Sequence, residues 1–344
     1  MGEIHQDLYY ESNFYSELVE KIVDKIGNFL KYNPDDVTKK ILEKLVKKGI
    51  DDASQKVVGY SFFKRGGNGN NTAECLAQLG ISTKLISIVG RGSEWIYDEL
   101  KQLGINTDAV FQINEITPVN TIIKSNFTTK FHLSPNLQDK MNFEGLEIKD
   151  NVFNNAKIIF TTPIAKKFIK IFEIGFDLDL ITAFNIEKQK VSNFEELSEL
   201  IKKQYDIFFL NLKDAQLMLS EKLIIEEVDK RFQNYAKIRI YTAGKEGSYI
   251  FTDNFNFRFP SIELKELIDH TSAGDCYAAG FLTNLCDFVE NKSQLLELLK
   301  PENEKELKSI LNSCGKFAMF TATYKIIKQK APTREEINNF MNNF

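Results

Sequence analysis

The stretch RGGNGNNTA at residues 65–73 is the first indication of how this chain folds. Its closely spaced glycines let the backbone turn sharply and approach a ligand, and the residues after it have helical spacing, so unpaired N–H groups gather at the helix start. The stretch lacks the third glycine of a dinucleotide fingerprint and the Gly-Lys-Ser/Thr of a P-loop. Asn68, Asn70 and Asn71 both donate and accept hydrogen bonds, which suits a polyhydroxylated ligand. An Asn/Gly turn before a helix has the same composition, so this stretch alone leaves both interpretations open.

A second small-residue stretch, DHTSAGDCYAAGF at residues 269–281, leads into an apolar helix. Successive backbone N–H groups in such a turn form an anion-binding nest, which the helix dipole reinforces. Asp275 at the mouth of this nest can accept a proton from an attacking hydroxyl. Taken alone, the stretch is equally typical of an N-cap Asp followed by an Ala/Gly packing face.

Around these stretches the hydrophobic pattern alternates between strands and helices. Strands are predicted at residues 57–63, 84–89, 158–161, 180–184, 207–210 and 238–242. This alternation predicts a doubly wound, mainly parallel α/β sheet flanked by helices. Residues 109–134 contain β-rich runs without helices between them, which predicts a small separate sheet, and residues 14–31 and 33–49 have the pattern of two amphipathic helices.

These patterns predict three parts of the chain. Residues 1–13, 64–108 and 135–344 form an α/β core that binds nucleotide and substrate, residues 57–63 and 109–134 form a β-rich lid, and residues 14–56 form a helical insertion. The simplest expectation for the insertion is a solvated amphipathic hairpin packed on the body.

Composition argues against several classes of protein. The chain of 344 residues is 43% hydrophobic and 27% charged, which is too apolar for a disordered chain. Its formal net charge of −4 argues against nucleic acid as the main partner. No run approaches the roughly 18 apolar residues of a membrane span, and the N-terminus lacks the pattern of a signal peptide. We therefore expect a cytoplasmic protein with neither a membrane nor a nucleic-acid partner.

The cysteines and histidines are scattered along the chain. No CxxC pair and no HExxH spacing occurs among Cys75, Cys276, Cys286, Cys314, His5, His132 and His270. The cysteines are expected to be buried thiols in a reducing compartment, and a zinc site built by protein side chains is not expected.

The two stretches together resemble the two signatures of the ribokinase-like (PfkB) carbohydrate and nucleoside kinases. Residues 66–73 are similar to Gly-Gly-x-x-x-Asn-x-Ala, and residues 269–275 to Asp-Thr-x-Gly-Ala-Gly-Asp. Weaker matches follow in the family's order: residues 2–7 at the end of the first strand, 211–214 to Asn-x-x-Glu, 242–247 to Thr-x-Gly-x-x-Gly, and 331–336 to the closing Pro-Thr. The resemblance covers the chain except about residues 14–56.

The sequence also departs from the family pattern. Ser272 stands where Gly is usual, His270 replaces Thr, and Asp214 replaces Glu. The chain starts two residues from the expected end of the first strand, so either a central strand is short or the start is internal to the natural gene product. Ser272 at a positive φ would cost about 1–2 kcal/mol.

The resemblance implies an ATP-dependent kinase that transfers a γ-phosphoryl group to a sugar hydroxyl. It implies Asp275 as the catalytic base and the N–H groups of Ala273, Gly274 and Asp275 as an anion hole. The nucleotide and metal side would comprise Asn211, Asp214, Thr242 and Gly244, with Asp214 holding Mg²⁺ through water. The acceptor's hydroxyls would be bound by Asp7, Gly67, Asn68 and Asn71.

The same resemblance implies ATP and Mg²⁺ as cofactors, with a monovalent cation such as K⁺ as a further candidate. A neutral sugar is the favoured acceptor because RGGN with a later Asn is similar to ketohexokinase and related sugar kinases. Two alternatives stay open: a nucleoside kinase on the same scaffold, and a weakly active sensor that binds a sugar or nucleotide. The sequence does not settle the oligomeric state, but the resemblance makes a homodimer through the lid sheet a candidate, since family members often pair through it.

Overall fold

The computed structural model describes residues 1–11, 20–26, 28, 41, 44–49, 60–124, 128–132, 143, 146, 148, 150–263 and 270–343. The predictions made for the other residues, including most of the insertion at 14–56 and Asp269 of the second signature, lie outside these ranges. Within the insertion, residues 20–26 and 44–49 are helical, as predicted. A Cβ added at Gly49 would lie 2.9 Å from the Cα of Ile22, so these two helices pack closely against each other.

Twelve strands have defined bounds within the described residues. They are β1 His5–Glu11, β2 Tyr60–Gly66, β3 Lys84–Arg91, β4 Asn106–Ile116, β5 Val119–Lys124, β6 Thr128–His132, β7 Ile158–Thr161, β8 Ile181–Ile186, β9 Tyr205–Asn211, β10 Ala236–Thr242, β11 Ser248–Phe251 and β12 Asn256–Phe259.

The helices with defined bounds flank these strands. They are α1 Asn68–Gln78, α2 Glu94–Gln102, α3 Lys166–Asp177, α4 Phe194–Leu200, α5 Leu212–Leu219, α6 Ile225–Phe232, α7 Ala273–Leu285, α8 Lys292–Leu298, α9 Glu304–Lys328 and α10 Arg334–Met341. In the described part of the chain, no helix is both long and apolar enough to cross a membrane.

The chain divides into two compact units. The larger comprises Met1–Ile4, Gly66–Thr117 and Asp139–Phe344, and the smaller comprises His5–Arg65 and Pro118–Gln138. The larger unit contains a six-stranded sheet in the order β12-β11-β10-β9-β8-β7. Strands β7 to β10 are parallel, and β11 and β12 continue the sheet antiparallel. The mainly parallel α/β sheet predicted from the sequence is therefore confirmed.

The central strands are apolar along their length because both of their faces are buried. All six residues of Tyr205–Leu210 are buried, including Asp206. The ring centroids of Phe208 on β9 and Phe232 on α6 lie 6.2 Å apart, and the two rings pack edge to face. Burying one such aromatic side chain contributes about 1.5–3 kcal/mol, so this packing stabilises the sheet against α6.

The first residues of the chain take the place of a strand in the larger unit. Gly2 forms a parallel bridge with Thr162, which follows β7, and its N–H donates to the Ile86 carbonyl of β3 at 3.2 Å. Strands β3 and β4 form a parallel pair. In this structure, the residues predicted to end the first strand therefore contribute a single bridge to the larger unit.

The smaller unit contains a four-stranded sheet in the order β2-β1-β5-β6. Strand β1 pairs in parallel with β5 from Gln6 to Glu11, and β6 pairs antiparallel with β5. A small separate sheet was predicted from the β-rich runs, and the structure contains one.

The boundaries between the units differ from the predicted ones at two places. Residues 5–11 were predicted to be part of the core, but β1 belongs to the small sheet because its residues Gln6 to Glu11 pair with β5. Residues 109–117 were predicted to be part of the lid, but β4 belongs to the larger unit because it pairs with β3. Both errors concern which strand is the partner, which local sequence does not encode.

Candidate active site

The carboxyl ends of the parallel strands carry the polar residues of the site. Thr242 at the end of β10 lies beside Asn211 at the end of β9 in the parallel register. Open α/β sheets bind their ligands outside this edge, because strand ends and helix starts meet there. The sheet thus brings together two of the predicted nucleotide-side residues, Asn211 and Thr242.

The first signature forms a tight turn into α1. Gly67 has φ 96° and ψ 142°, and a Cβ there would lie 2.3 Å from the Glu3 carbonyl oxygen. A Cβ at Gly69 would lie 2.6 Å from the Cα of Gly2. Only glycine fits either position, so these two residues hold the start of α1 against the start of the chain.

The second signature forms the turn before α7 and the start of that helix. Helices α1, α7 and α9 pack through a cluster that includes Cys75, Leu79, Cys276, Ala279 and Phe317. This packing places the Asn71 side chain beside Asp275: Nδ2 of Asn71 donates to Oδ2 of Asp275 at 3.0 Å. Asp275 is only 8% exposed, so this hydrogen bond is largely shielded from solvent.

The turn before α7 contains Ser272 with φ 65° and ψ 8°, in the left-handed region. This is the geometry in which glycine is unstrained and serine is not. The N–H of Ala273 donates to the His270 carbonyl at 3.1 Å. Ala273 was predicted to be part of the anion hole, but in this structure its N–H is satisfied within the turn.

Gly274 and Asp275 occupy the next positions of the first turn of α7, at the N-terminal end of the helix, where the helix dipole favours an anion. Apart from its chain neighbours and the backbone of its own helix, no described atom lies within 4 Å of a Cβ added at Gly274, so the space beside this backbone can admit a ligand. The predicted anion-binding role therefore rests on Gly274 and Asp275.

Asn211 and Asp214 start α5 together. Oδ1 of Asn211 caps the helix by accepting from the Lys213 N–H at 2.9 Å. Oδ2 of Asp214 lies 3.5 Å from the Lys188 N–H, so this carboxylate turns toward the loop after β8. A carboxylate oxygen such as that of Asp214 is a ligand type that Mg²⁺ prefers, and Mg²⁺ usually keeps several of its waters.

No group of three or more metal-ligating side chains occurs among the residues described. The predicted metal would therefore depend on Asp214, water and the nucleotide's own phosphates rather than on a protein cage.

The turn after β10 carries the remaining nucleotide-side residues. Gly244 has φ 56°, is exposed and begins the short 3-10 turn Gly244–Glu246. Gly247 has φ 96°, and a Cβ there would lie 1.9 Å from the Phe259 carbonyl oxygen. The glycines of this motif thus shape a turn that leads back into β11 and leaves Thr242 and Gly244 at the sheet edge.

Glu187 is a site residue that sequence reasoning missed. It follows β8 directly, and its Oε1 accepts hydrogen bonds from Nδ2 of Asn68 and, at 3.4 Å, from Nδ2 of Asn185. Burial raises the pKa of Glu187 to about 7, and the nearby carboxylates of Glu3 and Asp214 add to this rise. The sequence feature that could have indicated Glu187 is an acidic residue just after a predicted parallel strand, where ligands bind in such sheets.

Glu3 was missed as well. Its Oε1 lies 2.6 Å from the Lys167 ammonium and 2.9 Å from that of Lys190, and all three side chains are largely buried. Burial alone would raise the pKa of Glu3, but the two lysines outweigh it and lower the pKa. This ion-pair cluster anchors the chain's first residues beside α3 and the loop after β8.

Asp7 lies in the small unit. It is 4% exposed, and its Oδ1 accepts from Nδ2 of Asn120 at 3.0 Å and lies 3.2 Å from Nε2 of His5. Among the predicted acceptor residues, Gly67, Asn68 and Asn71 lie in the larger unit and Asp7 in the smaller one. The neighbour Asn120 was not predicted.

Comparison with known proteins identifies the family. The profile of the pfkB family carbohydrate kinases matches residues 45–325. A putative 1-phosphofructokinase of Mycoplasma genitalium is 26% identical over 67% of this chain and 77% of its own length. A nucleoside kinase of Methanocaldococcus jannaschii is 27% identical over 63% of this chain and 71% of its own length.

Solved structures show the same fold. The fructokinase of Xylella fastidiosa with bound ATP superimposes with a TM-score of 0.71 at 14% identity, over 99% of this chain and 97% of that one. The nucleoside kinase of M. jannaschii gives a TM-score of 0.67 at 19% identity, over 100% and 96% of the two chains. Fold and site therefore define a ribokinase-like kinase. The chain belongs to the pfkB family carbohydrate kinases and is a phosphotransferase.

Proposed function

We propose that this enzyme transfers the γ-phosphoryl group of ATP, with Mg²⁺, to a hydroxyl of a neutral sugar. The observation that supports this most directly is the 3.0 Å hydrogen bond between Asn71 and Asp275. Asn71 belongs to the first signature, which is expected to bind the acceptor. Asp275 is the base expected to activate that acceptor, so the hydrogen bond joins the two proposed functions in one site.

Phosphoryl transfer requires positioning and charge neutralisation more than covalent chemistry from the protein. Asp275 accepts the proton of the acceptor hydroxyl as that oxygen bonds to the γ-phosphorus and the bond to the β-phosphate oxygen breaks, releasing ADP. General-base help of this kind contributes about 10²–10⁴ in rate. Asn71 holds the Asp275 carboxylate in place for this step.

The first turn of α7 binds the transferred group. N–H groups of Gly274 and Asp275 at a helix N-terminus favour an anion there, because the helix dipole adds to their hydrogen bonds. Asn211 and Asp214 would hold the metal through water, and Thr242 and Gly244 would line the nucleotide. When bound, Mg²⁺ neutralises charge on the phosphates.

The small sheet is proposed to act as a lid over the acceptor, with Asp7 as its contact to a hydroxyl. Excluding water by such closure protects the phosphoryl group from hydrolysis. A homodimer through this sheet stays a prediction, which light scattering of the purified protein would test. The cytoplasmic location and the use of K⁺ also stay predictions.

A nucleoside acceptor is the second candidate, supported by the relative and the solved structure that are nucleoside kinases. Release of ADP from ATP over a panel of sugars and nucleosides distinguishes the two. We expect a neutral sugar to give the highest kcat/KM, and a nucleoside with the highest value would replace the sugar. If no acceptor stimulates ADP release beyond that of Asp275→Asn, the weakly active sensor would be favoured instead.

A further inference from the structure

The pair formed by Asn68 and Glu187 is not explained by phosphoryl transfer itself. Asn68 is the first residue of α1, and its side-chain amide donates to Oε1 of Glu187. Nδ2 of Asn185 lies 3.4 Å from the same oxygen and also 3.4 Å from Oγ1 of Thr162. The carboxyl group of Glu187 is therefore held from two sides at the ends of β7 and β8, beside a residue expected at the acceptor.

The charges around this pair are predominantly negative. Glu3 and Asp214 are near enough to Glu187 to raise its pKa. Lys167 and Lys190 both form ion pairs with Glu3, at 2.6 and 2.9 Å. Of the charged side chains that act most on Glu187, two are the carboxylates of Glu3 and Asp214, and one is the ammonium group of Lys190, which is paired with Glu3.

An acceptor that approaches Asn68 consequently meets a carboxyl group and a fixed amide. A hydroxyl can donate to a carboxyl oxygen and accept from an amide, so it satisfies both. A phosphate or carboxylate would lie against like charge, and juxtaposed like charges are a common means of rejecting wrong ligands.

We infer that Asn68 and Glu187 form an acceptor subsite in which Glu187 is a specificity-determining residue that selects uncharged, hydroxylated acceptors over phosphorylated ones. This inference rests on the proposed function, because it assumes that Asn68 faces the acceptor. It gives the carboxyl group of Glu187 a role in recognition that is separate from the proton transfer at Asp275.

The test compares acceptors that differ by one phosphate: D-fructose with D-fructose 1-phosphate, and D-ribose with D-ribose 1-phosphate. Each is assayed with wild type, Glu187→Gln and Glu199→Gln, the last a matched control on the exposed face of α4. Two readouts are taken: kcat/KM from ADP release, and the shift in melting temperature that each acceptor causes.

We expect wild type to favour at least one neutral acceptor over its phosphomonoester, and Glu187→Gln to reduce that kcat/KM ratio about tenfold, as expected for the loss of one like-charge contact. The KM for ATP should stay within about twofold, and Glu199→Gln should leave the ratio unchanged. A residue that only positions Asn68 would instead lower kcat/KM for both acceptors equally.

Several outcomes overturn the inference. One is a wild-type preference for the phosphomonoesters. Another is a kcat/KM ratio in Glu187→Gln that equals the wild-type ratio while ADP release persists. Both of these outcomes leave the kinase assignment intact. If melting shifts follow the expected order and change with Glu187→Gln but no ADP forms, the subsite is supported and the proposed function fails. If no acceptor shifts the melting temperature or releases ADP, the subsite is overturned as well.

Discussion

At the scale of single residues, the site depends on contacts between positions far apart in the chain. Asn71 and Asp275 are separated by 204 positions, yet their side chains share a hydrogen bond. Both residues were predicted from their own motifs, since each motif has a local pattern. Glu187 was missed because its partner Asn68 is 119 positions away and its own surroundings have no motif.

The role of Asp275 is tested by Asp275→Asn. This change removes the base but keeps the shape and a hydrogen-bonding partner for Asn71, so we expect turnover to fall at least about a hundredfold. The melting temperature and acceptor affinity should change little, as calorimetry would show. Turnover within a few-fold of wild type would mean that Asp275 is not the base.

Ser272→Gly tests the strain in the turn before α7. Because Ser272 has φ 65°, glycine should relieve about 1–2 kcal/mol of backbone strain. The serine side chain makes no cap hydrogen bond that would be lost. We therefore expect turnover to hold or rise and the melting temperature to rise, measured by steady-state kinetics and a melting curve. A fall in both turnover and melting temperature would contradict the prediction that Ser272 is strained.

At the scale of elements, the start of the last helix was predicted from a local motif. The closing Pro-Thr motif begins α10, where Thr333 Oγ1 accepts from the Glu336 N–H at 3.2 Å and Glu336 accepts from the Thr333 N–H at 2.8 Å. Strand partners were predicted less well: β4 has the same alternation as a lid strand, but it pairs with β3. Local residues specify a cap, whereas only the tertiary fold specifies a strand's neighbour.

The capping box predicts a defined loss on substitution. Thr333→Ala removes the cap acceptor for the Glu336 N–H, and such changes cost about 0.5–2 kcal/mol. Urea unfolding at neutral pH would measure this cost, with Thr128→Ala on β6 as the same chemical change away from any helix start. An equal effect of the two changes would contradict a specific capping contribution.

The same capping box predicts how stability depends on pH. The hydrogen bond from Lys330 and then that from the Thr333 backbone lower the pKa of Glu336 to about 2. Because the folded pKa lies below the ordinary value, this stabilisation is present above about pH 4.5 and is lost as the pH falls toward 2. The difference in melting temperature between wild type and Glu336→Gln should shrink over that range, whereas Glu335→Gln should show no such trend.

At the scale of the whole molecule, a buried charge network holds the six-stranded sheet to α6. Arg239 on β10 is 2% exposed and forms a two-pronged ion pair with Asp229, at 2.8 Å from Nε and 3.1 Å from Nη2. Tyr241 also donates to Asp229, at 3.1 Å. The apolar pattern of β10 predicted a buried strand, but it gave no indication that an arginine within it would be buried too.

Removing Asp229 is therefore expected to destabilise the larger unit strongly. Asp229→Ala leaves the Arg239 guanidinium buried without its main partner, and breaking such a pair costs about 3–5 kcal/mol. The matched control is Asp253→Ala: this residue also contacts Arg239, at 2.9 Å, but is 69% exposed, so its loss should cost about 1 kcal/mol or less. The double variant Asp229→Ala/Arg239→Met should recover much of the loss, because it removes the unpaired charge. Urea unfolding of the three variants measures all of these values. Equal costs for Asp229→Ala and Asp253→Ala would show that the sheet does not depend on this ion pair.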